Sequence, residues 1–126
     1  MKAERTIYRF SIPGIPPSVN HCYVNRWNGR GKVYNRQAED YFDEMALAAA
    51  QLPEIAGNVK VEYALYFPNR IVRDPGNFEK VLSDGLQRAG VLANDKQIRD
   101  VRAYDAGIDR ENPRVEVMIM ATEDTR

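Results

Sequence analysis

The sequence has little of what fixes proteins by special means. It contains one cysteine, Cys22, in 126 residues. A lone thiol forms no intrachain disulfide and no cysteine metal cluster, so a reducing cytoplasm is the expected setting. No apolar run approaches the roughly 20 residues that span a bilayer. The opening "MKAERTIYRF" has no apolar stretch followed by a small-residue cleavage site, which predicts no signal peptide. Internal repeats and low-complexity tracts are missing too. Charge of one sign is also lacking: 18 basic residues balance 18 acidic ones. That balance excludes a broadly basic protein that coats DNA indiscriminately.

What is there fits one globular domain over residues 1–126. A chain of this length buries roughly two-thirds of its unfolded surface and needs no staples. The balanced charge hides a local bias. Residues 22–37 carry Arg26, Arg30, Lys32 and Arg36 with no acid, interleaved with Tyr23, Trp27 and Tyr34. Basic residues between aromatics suit phosphate contacts and base stacking; a solvated loop or hairpin has the same composition.

Hydrophobic period assigns the elements. "TIYRFSI" (6–12) alternates as a strand, and the Pro-rich segment 13–18 stops it. Asn28-Gly29 suggests a hairpin in the basic segment. From Arg36 to Leu52 apolar residues recur at three- and four-residue steps, a helix with Asn35 as its N-cap. Val59 to Phe67 switches to period two, a strand. A second helix is predicted from Asn77 to Ala89, with Gly90 at its C′ position. Residues 98–107 and 113–122 read as strands, and "EDTR" (123–126) as a frayed tail. Two helices on a small mixed β-sheet, α+β, is the packing this order favours.

The densest chemistry is "RDPGNFEKVLSDGLQRAGVLANDKQ" (73–97). Asn77, Lys80 and Asp84 fall on one helical face, opposite the apolar stripe. Asp74 precedes the helix, and Asp95 follows it. Gathered carboxylates repel by roughly 1 kcal/mol at about 4 Å in water, and about 4 at an effective dielectric of 20, so a cation is expected among them. Aspartate oxygens suit Mg²⁺ or Mn²⁺. Such an ion activates water and neutralises the charge growing on a phosphodiester, and a neighbouring lysine assists the leaving oxygen. Ordinary roles are also open to these residues. Asp74 before Pro-Gly starts turns, Asn77 caps helices, and Lys80 with Asp84 forms a surface pair of roughly 0.3 kcal/mol. His21, the sole histidine, reads as a loop residue.

Four segments together resemble the RusA family of Holliday-junction resolvases: "IPGIPPSVNHCY", "RDPGNFEK", "LSDGL" and "AGVLANDKQI". The second is similar to the family pattern Asp-x-Asp-Asn-x-x-Lys, and the fourth to its Asp-Asp segment. The resemblance implies a RusA-like α+β fold and a homodimeric endonuclease. Such an enzyme nicks four-way junction DNA symmetrically with Mg²⁺ or Mn²⁺, in recombination and repair. It implies catalytic roles for Asp74, Lys80 and Asp95, metal ligation by Asp74 and Asp95, and supporting roles for Asn77 and Asp84. DNA contacts are expected from Arg26, Trp27, Arg30, Lys32, Arg36, Arg70 and Arg73. Two positions depart: Gly76 replaces the second motif aspartate, and Asn94 the first acid of the later pair. The glycine deletes a presumed ligand, so a weakly active or non-catalytic junction binder is the alternative. A domain whose polar loops serve protein contacts is a third.

Overall fold

The structure is a computed structural model that describes residues 5–122; the tail expected at 123–126 lies outside them. Strand β1 (Arg5–Pro13) leads to a separate hairpin, β2 (Tyr23–Asn25) and β3 (Lys32–Tyr34). Helix α1 (Arg36–Ala48) and strand β4 (Val59–Phe67) follow. A 3-10 turn, Pro75–Phe78, then runs into α2 (Glu79–Arg88). A second 3-10 turn, Asp95–Gln97, precedes β5 (Ile98–Ile108), and β6 (Arg114–Thr122) completes the order. The main sheet is ordered β1-β6-β4-β5. β4 pairs parallel with β5 and antiparallel with β6, which pairs antiparallel with β1. The sheet is therefore mixed, as expected, with the two helices on one face.

Period-two patterning explains the covered face. Val59, Val61, Tyr63, Leu65 and Phe67 of β4 are buried, as are Val115, Val117 and Ile119 of β6. Tyr41 and Met45 of α1 and Leu82 and Leu86 of α2 complete this core. Each fully buried Leu, Ile or Val contributes roughly 1.5–3 kcal/mol relative to exposure. The opposite face is open and polar. It holds a groove of about 330 Å³ between Arg9, Glu62, Tyr104 and Glu116.

Boundaries moved where local chemistry overrode the period. Asn35 caps α1 as predicted, accepting from the Ala38 amide at 2.9 Å. The α-helix ends at Ala48 rather than Leu52. Pro53 disfavours helical backbone at Leu52 and offers no amide of its own, so residues 49–51 close as turns. In the second helix Asp74, not Asn77, is the capping residue: its side chain accepts from the Gly76 amide at 2.9 Å. The element therefore begins as a 3-10 turn two residues before the expected start. Gly90 takes the positive φ expected at C′, +78°. The hairpin forms, but around a loop of residues 26–31 rather than a two-residue Asn-Gly turn. The Arg26 amide donates to the Gly31 carbonyl across that loop at 3.1 Å.

Candidate active site

The β4-α2-β5 crossover sets the positions of the acidic residues. Ile98 at the start of β5 lies beside Val59 at the start of β4, and Ile108 lies beside Phe67 at its end. The Phe78 ring meets that of Phe67, centroids 5.7 Å apart. Asp74 therefore sits near the end of β4, and Asp95 near its beginning. No hydrogen bond or ion pair joins these two carboxylates among the described residues.

Asp74 opens onto a cleft of about 560 Å³ lined by Ser18, Asn20, His21, Val72, Asn77 and Phe78. The Pro-rich segment forms the facing wall because the Val19 amide donates to the Asn77 carbonyl at 2.8 Å. Ser18 Oγ and His21 Nδ1 lie 3.0 Å apart. Read from sequence as a loop residue, His21 thus shares a cleft with Asp74. The signal available was its place in "SVNHCY", and the facing of two segments more than fifty residues apart carries no local pattern.

Lys80 and Asp84 share the face that helical spacing predicted. Lys80 Nζ donates to Asp84 Oδ2 at 3.3 Å. Burial pulls the Lys80 ammonium down. The Asp84 carboxylate, with smaller contributions from Tyr23 and Asp95, more than reverses this, so its pKa ends above the ordinary lysine value. Lys80 is therefore a charged ammonium at neutral pH. It lies in the field of Asp95.

Asp95 is fixed by its neighbours. Asn94 caps the turn, accepting from the Lys96 amide at 2.8 Å. Gln97 accepts from the Asn94 amide at 3.1 Å and donates to the carbonyls of Ile55 and Gly57 at 2.8 and 2.9 Å. The Asp95 side chain is left exposed, with no hydrogen-bond partner among the described residues.

The basic residues divide into two groups. Arg26, Arg30 and Lys32 are exposed on the β2–β3 hairpin, and Trp27 near its tip is 97% exposed. Arg36 opens α1 and pairs with Asp40 at 3.6 Å. Arg70 is exposed in the loop after β4. Arg73 is turned inward. It donates to Asn69 Oδ1 at 2.8 Å and to the Ile71 carbonyl at 3.1 Å, and stacks over Phe67 at 4.8 Å. Those bonds shape the loop and present Ile71 and Val72 to solvent, the latter 96% exposed and two residues before Asp74.

A family model described as Endodeoxyribonuclease RusA matches residues 13–120. The chain belongs to the RusA family. Relatives named crossover junction endodeoxyribonuclease RusA, from Escherichia coli K12 and from Escherichia coli O6:H1, are each 31% identical over 99 residues. The match covers 75% of this chain and 79% of each relative.

Within the RusA pattern the two departures have different structural consequences. Asn94 keeps the capping function that an acid would serve there, since its amide oxygen accepts the Lys96 amide. Gly76 keeps nothing of the aspartate it replaces. Among the described residues, no three His, Cys, Asp or Glu side chains gather into a metal-ligating group. The donors that remain fit a hard divalent ion in kind, being exposed carboxylates. They are few in number, but Mg²⁺ takes one or two protein carboxylates and completes its shell from water and phosphate. No helix among the described residues is long and apolar enough to cross a membrane.

Proposed function

We propose that this RusA-family chain is a structure-selective endodeoxyribonuclease that resolves four-way DNA junctions by paired nicks, as a homodimer with Mg²⁺ or Mn²⁺. Asp74 and Asp95 would hold the ion, which supplies activation of water and neutralisation of phosphate charge when bound. Lys80, kept protonated by Asp84, faces the leaving oxygen or the developing charge on the phosphate. The hairpin bearing Arg26, Arg30 and Lys32 grips flanking phosphates, and Trp27 stacks on an unpaired base. Arg36 and Arg70 extend the basic surface, Arg73 orders the loop beside Asp74, and Asn77 fixes the cleft wall. The observation that carries the reading is the set of exposed acids and cation along one β-α-β unit, at the positions of the family pattern.

The separation of Asp74 from Asp95 gives the homodimer a chemical purpose. A two-fold axis places the same surfaces against each other in reverse. It can bring Asp74 of one protomer to the partner subunit's Asp95, at two equivalent sites.

Gly76 favours a second reading, a junction binder with no cleavage. A labelled four-way junction incubated with Mg²⁺, Mn²⁺ or EDTA decides between them. Metal-dependent paired nicks support the nuclease. Tight, salt-sensitive junction binding without nicks supports the binder. Equal affinity for junction and linear duplex removes both.

A further inference from the structure

Asp84 Oδ2 accepts two donors from two different elements: Lys80 Nζ, one helical turn away on α2, and the hydroxyl of Tyr34 at the end of β3. Tyr34 lies fifty residues earlier in sequence, on the hairpin that carries the basic residues. Its ring stacks on Tyr23 with centroids 4.9 Å apart, meets Phe42 edge-on at 4.9 Å, and lies under the Arg88 guanidinium at 5.3 Å. Arg88 is itself paired with Glu39 of α1. These ring contacts dock the hairpin on a small apolar cluster of Cys22, Ala38, Phe42 and Val81. Docking thus needs the ring; it does not explain why the hydroxyl reaches Asp84.

We propose that Tyr34 is a positioning residue for strand cleavage: its hydroxyl fixes Asp84, whose Oδ2 holds the Lys80 ammonium in place. The proposal rests on the nuclease reading of Lys80. An isolated i,i+4 Lys–Asp pair stabilises by only about 0.3–0.5 kcal/mol, and both side chains keep rotamer freedom. Here the carboxylate is anchored from outside the helix. Its side chain is 26% exposed against 59% for Lys80, so the acceptor is the ordered member of the pair. A cation held by an immobile acceptor loses less entropy when it must meet a reacting phosphate. Burial, followed by the bond to Asp84, raises the Tyr34 hydroxyl far above the ordinary tyrosine range, so it stays a donor at any working pH. The latch also joins the surface that grips DNA to the helix that carries the lysine.

Single-turnover nicking of a four-way junction, at saturating protein and Mg²⁺, tests this with wild type, Tyr34→Phe, Asp84→Asn and the double variant. Junction Kd and Tm are measured for each. Phe keeps the ring contacts, so Tyr34→Phe is expected to slow nicking about tenfold while Kd and Tm stay near wild type. Asp84→Asn is expected to slow it at least as much, and the double variant no further, because Tyr34 acts through Asp84. Should Tyr34→Phe melt early, Asp84→Asn carries the test alone, and must slow nicking without changing Kd. A wild-type rate in Tyr34→Phe, additive losses in the double variant, or a loss confined to Kd overturns the proposal. If wild-type protein leaves junctions intact, the nuclease reading fails and this inference with it. If wild type nicks and the variants behave otherwise than stated, this inference alone fails.

Discussion

Asp74 Oδ1 lies 3.3 Å from where a Cβ on Gly76 would sit, and Gly76 does not occupy the positive-φ region that resists side chains. An aspartate therefore fits there once the exposed Asp74 carboxylate yields by a few tenths of an ångström. It would place a second carboxylate beside the first. Gly76→Asp is expected to lower the Mg²⁺ concentration for half-maximal nicking several-fold, read from a metal titration of the nicking rate. An unchanged titration would show that another group already supplies the missing oxygen. At this scale sequence named the acids and the Lys80–Asp84 pair but not the group that anchors the pair from outside the helix. The Lys80–Asp84 contact follows from helical spacing. Tyr34 was read only as an aromatic among basic residues. Its bond to Asp84 depends on how the hairpin docks, which no spacing encodes.

Elements were legible where burial alone set the pattern. β4 alternates because one face meets the helices and the other faces solvent, so its expected bounds, Val59–Phe67, are the observed ones. The ends of the helices were less legible, because Pro53 and Asp74 act through backbone chemistry that periodicity does not register. Gly85 shows a further limit. It lies inside α2, where glycine is a poor helix former, yet a Cβ there would meet Met45 Sδ at 2.6 Å and Phe42 at 3.3 Å. The end of the Met45 side chain thus fills the space that this glycine leaves on α2. Gly85→Ala gains helix propensity of about 1 kcal/mol but overpacks the buried Met45 side chain at a cost of roughly 1–3 kcal/mol, so the expected net loss in chemical denaturation is at most about 2 kcal/mol. Adding Met45→Ala should relieve part of the clash, and a double variant less stable than the sum of its parts would contradict that packing account. The hairpin makes a prediction of its own kind. Arg30 and Lys32 are exposed and make no ion pair among the described residues. Changing both to alanine should weaken junction binding and flatten the slope of log K against log salt by about 1–2 units. An unaltered slope would take the hairpin out of the DNA interface.

The strand order β1-β6-β4-β5 separates β5 from the strand that follows it, because the chain passes from β5 over β4 to β6. Nothing in the sequence pattern announces that crossing, and the placement of Asp74 and Asp95 comes instead from the parallel β4-α2-β5 connection. Read along the chain, these acids flank one helix and look like one site; in the fold they attach near opposite ends of β4. Subunit mixing tests what joins them. Asp74→Asn and Asp95→Asn are each expected to abolish nicking and to leave junction affinity unchanged, because both side chains are exposed and support no core contact. If each site takes Asp74 from one protomer and the partner subunit's Asp95, a dimer of one Asp74→Asn chain and one Asp95→Asn chain carries both lesions in one site and neither in the other. Refolding the two variants together in equal amounts makes half the dimers mixed, each with one intact site of two. Nicking should then return to about a quarter of the wild-type site number, as single nicks rather than paired ones. If both acids of a site come from one chain, every mixed dimer has two damaged sites and the mixture stays inactive. The product pattern on a denaturing gel separates these outcomes, since a returned single nick requires a site completed across the two-fold axis.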